Sequence, residues 1–279
     1  MKSIVKEYNK KLNTFKVIIE RKERYFYLTK KDAKKYGEML FAGVFVDFEI
    51  SAQKRKIKKI SYTRVTHFNK IGFFTKRGLK TTFDINLIKE EIIKVMWRFK
   101  YYLFIDIEMS MPSYYYTGTH QAEIVQVGYL LTDKNLNVIK KDDYYLKPAN
   151  GRFVSKRTLK FLKVKREVFN TAKEYNYFYE DLKGMLKTYK PKIVVWGKND
   201  ILVLKDSYKI NKKDALTTSK NFIDLLKIHK NYFNLKEELG LFKAYETYYN
   251  KTLTQSHDAY EDAKIMLEVF KYFRKLKSR

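Results

Sequence analysis

Cysteine is absent from the 279 residues, which excludes disulfides and thiolate zinc sites and leaves nothing pointing to secretion. No apolar run approaches the ~18 residues needed to cross a bilayer, so no membrane association is expected. The opening Met1-Lys2-Ser3-Ile4-Val5-Lys6-Glu7 has no hydrophobic stretch followed by small residues, so no signal peptide is expected either. Internal repeats and low-complexity tracts are also missing. The cytoplasm is the expected compartment.

Acidic residues are in short supply: 31 face 59 bases, a formal charge of +28. Such self-repulsion is unusual without a polyanionic partner. Lys supplies 48 of the bases, a bias that coding composition also produces, so distribution is the better guide. Residues 1–100 hold 26 bases against 10 acids, and residues 101–279 hold 33 against 21. From Ser51 to Lys80 there are ten bases and no acid. That stretch reads as a basic surface.

What is present falls into two patterns. Thr14–Ile19, Arg24–Leu28, Val44–Ile50, Ile57–Ile60 and Val65–Phe68 are short β-type segments rich in Val, Ile, Phe, Tyr and Thr. Val46, Phe48 and Ile50 alternate with Asp47 and Glu49, as in a half-buried strand. Five short strands in so few residues predict a small β-barrel over residues 1–82, whose shape resembles the OB or cold-shock type. Ile88, Ile92, Val95 and Met96 form one apolar helical face, predicting a connecting helix within residues 83–100. From Tyr101 the pattern changes. Strands at Tyr101–Ile107, Glu123–Thr132 and Asp142–Leu146 precede helical stretches from Ser155 to Tyr189. A short strand, Lys192–Trp196, and further helices follow. This order predicts an α/β domain over residues 101–279, a mixed sheet flanked by helices.

In so basic a chain, acids within apolar surroundings stand out. Asp106 and Glu108 lie at i and i+2 of an apolar strand, hence on one face. Two like charges side by side are costly to bury unless a cation neutralises them, and carboxylates suit hard ions such as Mg²⁺ or Mn²⁺. Asp200 follows a buried strand and Gly197, at the start of a helix. His257 and Asp262 lie within Ser256-His257-Asp258-Ala259-Tyr260-Glu261-Asp262-Ala263, entering a helix whose apolar face carries Met266, Phe270 and Phe273. Each element alone has an ordinary explanation: a strand end with solvated acids, an N-cap, a capped helix start with an acidic first turn. The last has no use for the His. Asp258 reads as a helix-start acid and Glu261 as solvated. His67, His120 and His229 show no paired-ligand spacing.

Taken together, Asp-x-Glu on a first strand, Asp after a later strand and His-x-x-x-x-Asp on the last helix resemble the DEDDh exonuclease family. Its RNase H-like fold is shared by proofreading exonucleases, oligoribonuclease-like enzymes and RNase T. The Glu123-Ile124-Val125-Gln126-Val127-Gly128 run is similar to the family's second strand. Trp196-Gly197-x-x-Asp200 and the long Met109–Gln121 loop look most like the KapD-like branch, whose members act mostly on RNA. The resemblance covers about residues 101–275. Ser110 stands where the family often has Thr, keeping a hydroxyl at the expected contact with the terminal nucleotide, beside Met109.

The resemblance implies a two-metal 3′→5′ exonuclease using Mg²⁺ or Mn²⁺. Asp106 would bridge both ions, Glu108 and Asp262 would complete one site, Asp200 would serve the other, and His257 would be the general base. Activity should then rise across roughly pH 6–8 as the imidazole loses its proton. The expected substrate is single-stranded RNA; DNA, as in proofreading or repair, is the nearest alternative. A non-catalytic RNA-binding protein is the alternative from another class. Four clustered acids near phosphate argue against that one. In the barrel, Lys54, Arg55, Lys56, Lys58, Lys59, Tyr62, Arg64, Phe68, Lys76 and Arg77 interleave bases with rings, a pattern suited to single strands. Lys54, Arg55, Lys56, Tyr62 and Arg64 are the candidate contacts there.

Overall fold

A computed structural model describes residues 1–149, 154–235, 237–253 and 257–276. The chain divides into two compact units, Met1–Glu91 and Ile92–Lys277.

The first unit is a closed five-stranded barrel built from β1 (Lys2–Asn9), β2 (Thr14–Ile19), β3 (Lys22–Tyr27), β4 (Phe45–Ile57) and β5 (Ile60–Thr75). The order is β3-β2-β1-β4-β5, and β3 closes on β5 through Phe26–Thr63 and Tyr27–Arg64. A further strand, β6 (Gly78–Asp84), pairs with the free side of β5. Phe15, Phe26, Phe48 and Phe68 meet ring to ring inside the barrel. Helix α1 (Lys30–Tyr36) starts at Thr29, whose side chain accepts the Asp32 N–H, and ends with Tyr36 packed on Phe68 and Phe83.

The expected barrel is present, with different strand bounds. Ile57–Ile60 is the turn joining β4 to β5, not a strand: Ile57 pairs directly with Ile60. In its place β1 completes the barrel. Only Val5 of β1 is buried, so this strand lacks the apolar alternation that makes a strand legible.

In the second unit, β7 (Tyr101–Met109), β8 (Ile124–Asp133), β9 (Val138–Tyr145), β10 (Lys192–Val195) and β11 (Phe222–Asp224) form a sheet of order β11-β10-β7-β8-β9. β8 is antiparallel to its neighbours β7 and β9, whereas β10 runs parallel to both β7 and β11. Leu103, Ile105 and Ile107 of β7 join one core, with Phe178 and Leu182 of α4 (Tyr175–Thr188) and Leu204 of α5 (Asn199–Ile210). Tyr102 and Phe104 join the other, with Met96 of α2 (Ile85–Trp97), Tyr232 of α6 (Leu225–Tyr232), Leu241 of α7 (Leu241–Tyr249), and Met266, Phe270 and Phe273 of α8 (Ala259–Lys275). Because side chains alternate along a strand, Asp106 and Glu108 continue the face that meets α8. Among the described residues, no helix is long and apolar enough to cross a membrane.

The start of α8 lies against the β8 backbone. A Cβ on Gly128 would fall 2.1 Å from the Tyr260 nitrogen and 2.3 Å from the Ala259 carbonyl carbon, so only glycine fits. Ala259 and Ala263, both fully buried, keep the helix side of this contact small. Gly128 pairs with Asp106, which ties this approach to the acids. Gly128→Ala should therefore push α8 outward, destabilise the domain by about 3 kcal/mol, at the severe end of overpacking, and separate Asp262 from Asp106. Thermal melting together with nuclease assay checks this; unchanged values of both would contradict the close approach.

Candidate active site

Each acid reaches the site from a different local device. The pleat of β7 turns Asp106 and Glu108 toward α8. Asp262 comes from the first turn of α8, whose N-cap Asp258 accepts the Glu261 N–H at 3.0 Å. Asp200 is the second residue of α5, reached from β10 through Gly197 at φ +103°, a conformation that glycine adopts without strain.

One carboxylate oxygen each from Asp106, Glu108 and Asp262 lie within 4.8 Å of one another. Asp200 lies outside this trio but within its electrostatic reach, and it is buried at 7% exposure. Desolvation, followed by the charges of Asp200, Asp262, Glu108 and Asp258, holds the Asp106 carboxyl well above its ordinary range. Burial, then Asp262, Asp200 and Asp258, pushes Glu108 up to about 8. Asp262 is pushed up to about 7 by burial, then by Asp258 and Glu261. Asp200 is raised mainly by burial, against main-chain hydrogen bonds that favour its ionised form.

The donor set fits a hard divalent cation. Oδ1 of Asp262 is buried with no hydrogen-bond partner among the described residues. The segment Tyr101–Asp133 supplies no Lys or Arg to neutralise the cluster. Buried like charges of this kind call for a cation.

A stability prediction follows from these shifts. The unfolded acids ionise near pH 4, whereas the folded cluster keeps protons to about pH 7–8. Between those limits the folded state binds more protons, so the stability contribution is full below pH 4 and is lost as pH rises through 8. The cation-free protein should lose at least about 5 °C of melting temperature between pH 5 and 8.5, equivalent to roughly 2 kcal/mol in a domain of this size. Millimolar Mn²⁺ should restore it, with a larger shift at pH 8 than at pH 6. Equal shifts at both values would contradict cation binding by these carboxylates.

His257 is not a member of the acid trio. Its ring lies against Phe161 of α3 (Lys156–Leu162), centroids 4.2 Å apart. Its backbone is left-handed, φ 53°, which is uncommon outside glycine. Burial and then the Lys163 charge push the imidazole below its ordinary value, so it is neutral at physiological pH. Asp258 is the helix cap its position suggested. Glu261 is exposed and bridges to Lys264 at 2.8 Å.

At the end of β7, the Ser110 hydroxyl accepts the Glu123 N–H at 2.9 Å, while His120 Nε2 lies 2.9 Å from the Ser110 carbonyl oxygen. His120 thus braces the loop that follows Met109. In the barrel, Lys54, Arg55 and Lys56 of β4 pair with Thr63, Tyr62 and Ser61 of β5. Arg64 Nη1 donates to Gln53 Oε1 at 2.7 Å. Phe68 is fully buried in the barrel core.

Gln126 escaped the sequence reading. It is 1% exposed, pairs with Glu108 across the sheet, and donates to Asp143 at 3.0 Å and Asp258 at 3.1 Å. One amide thereby ties β8 and β9 to the cap of α8. Its signal was a lone polar residue early in a strand otherwise buried along nearly its full length.

The family model RNase_T (Exonuclease) matches residues 103–270. The probable 3′-5′ exonuclease KapD of Bacillus subtilis (strain 168) is 26% identical over 170 residues, spanning 61% of this chain and 82% of that protein. Among solved structures, the nuclease domain of 3′hExo, a DEDDh family member bound to rAMP, superposes with a TM-score of 0.54 at 14% identity. That match covers 62% of this chain and 90% of the other. A 3′-exonuclease structure concerned with 3′-end specific recognition of histone mRNA stem-loop gives a TM-score of 0.54 at 13% identity, covering 63% and 64%. At such identities the structural likeness is one of fold.

Proposed function

Because this chain belongs to the RNase_T exonuclease family and is a 3′→5′ exonuclease of the DEDDh type, we propose that it trims single-stranded RNA from the 3′ end, in the cytoplasm, with two Mg²⁺ or Mn²⁺ ions. The observation that carries the reading is the meeting of Asp106, Glu108 and Asp262 within 4.8 Å. Asp106, Glu108 and Asp262 would hold one cation, and Asp106 with Asp200 the other. Such ions supply Lewis acidity that activates water and neutralises charge on the phosphoryl group. His257, neutral and in left-handed backbone before the α8 cap, accepts the proton of the attacking water. Met109 and Ser110, just beyond Glu108, contact the terminal nucleotide.

Two structural neighbours support the RNA reading. The 3′hExo nuclease domain was solved with rAMP, and the other 3′-exonuclease structure concerns a histone mRNA stem-loop. The sugar 2′-hydroxyl is the group that separates the two polymers. The test is kcat/KM on RNA and DNA strands of matched sequence. RNA should be preferred at least about tenfold, roughly one good hydrogen bond to the 2′-hydroxyl. Equal or faster DNA cleavage would overturn the RNA assignment and leave the hydrolase intact.

A further inference from the structure

We propose that the far end of the β4–β5 hairpin is a cationic ribbon that grips the phosphate backbones of a B-form DNA duplex. Beyond the irregularity between Ile50 and Lys54, the strands continue with Lys54 opposite Thr63, Arg55 opposite Tyr62, Lys56 opposite Ser61 and Ile57 opposite Ile60. The barrel's closing strand β3 pairs with β5 only at Thr63 and Arg64, so the end of the hairpin continues as a two-stranded ribbon. Lys54, Arg55, Lys56, Lys58 and Lys59 are all exposed. None of the five forms a salt bridge among the described residues.

The tip carries a second indication. Lys58 has φ 55°, where two-residue hairpin turns favour Gly, Asn or Asp. A lysine there places a charge at the very tip of the hairpin, beside the charge of Lys59. Charges on exposed strands also block pairing with other chains, but either sign serves that purpose. Here no acid occurs between Ser51 and Lys80. Regularly spaced phosphates are the matching surface.

The rings decide between a single strand and a duplex. Single-strand binders stack bases on aromatic faces, about 1–3 kcal/mol per base. From Ser51 to Ser61 this hairpin has no aromatic residue. The nearest rings are engaged: Tyr62 lies edge-on to Tyr25 at 5.5 Å, and Arg55 covers Tyr27 at 5.5 Å. A duplex hides its bases and presents phosphates. Beyond the last β3 contact, three paired positions at about 3.4 Å each give a ribbon about 10 Å long, and a B-form major groove, about 12 Å wide, admits a two-stranded ribbon.

Binding is measured on the full chain in EDTA, where nothing is cut, using a blunt 20-base-pair DNA duplex and one of its strands. The variant combines Lys54→Ser, Arg55→Ser, Lys56→Ser, Lys58→Asn and Lys59→Gly, the last two supplying an Asn-Gly turn that keeps the hairpin closed. Duplex affinity should fall at least about tenfold. The slope of log affinity against log salt should flatten by about 3–4, at about 0.9 for each phosphate no longer neutralised. Single-strand affinity should change less than about threefold, and the circular dichroism spectrum and melting temperature should match those of the unaltered chain. An unaltered duplex slope would overturn the ribbon's role. Equal weakening on both polymers would overturn the duplex assignment. Neither result bears on hydrolysis, so failure here is distinct from failure of the nuclease reading.

Discussion

Asp106→Asn is expected to abolish 3′-end hydrolysis while making the cation-free protein more stable. The two effects have one cause. Asp106 faces the charges of Asp200, Asp262 and Glu108 from a buried position, and Asn removes one repelling carboxylate with little change in shape. Melting temperature without cations should therefore rise at pH 8. Turnover should fall by about 10³-fold or more, because a catalytic cation contributes several kcal/mol of charge stabilisation and each 1.36 kcal/mol is tenfold in rate. A residue that served only the fold would lose stability and activity together. Opposite signs are the signature of a site built to receive cations, and wild-type-like melting with abolished activity would contradict it.

His257→Ala should lower kcat by about 10²–10⁴-fold, the usual share of a general base, with little effect on melting. The pH profile gives the sharper test. Burial and Lys163 push the imidazole below its ordinary value. In cation-saturated wild type the acid limb of kcat should therefore have its midpoint below about 6.5, lower than the pH 6–8 rise that an unperturbed imidazole gives. The base works when unprotonated, so rate rises with pH through that midpoint and then levels. His257→Ala should remove the limb. A limb that survives the substitution would assign it to the carboxylates instead.

The acids were legible because each sits where an acid is costly. Asp106 and Glu108 interrupt an apolar strand, and the pleat rule alone puts them on one face. Ala259 and Ala263 keep the start of α8 small on either side of Asp262, and Gly128 is what that start approaches. The partners that hold the site were harder to see. Gln126 spends its amide on Asp143 and Asp258, from distant parts of the chain, and a strand pattern read residue by residue cannot show such a bond. Phe161 meets His257 only through the fold. β11, three residues long, is too short to show a period. β1 is too polar, since one buried valine fixes it. At the β4–β5 hairpin, apolar Ile57 and Ile60 suggested a strand where they pair across a turn of two lysines.

The most direct measurement is a time course on a 5′-labelled single-stranded RNA with Mn²⁺, with EDTA, and with Mn²⁺ plus Asp106→Asn. A ladder shortening from the 3′ end in the first case, and intact strands in the other two, is the predicted result. Hydrolysis that persists in EDTA, or that survives removal of the Asp106 carboxylate, would contradict cation-dependent cleavage by this cluster.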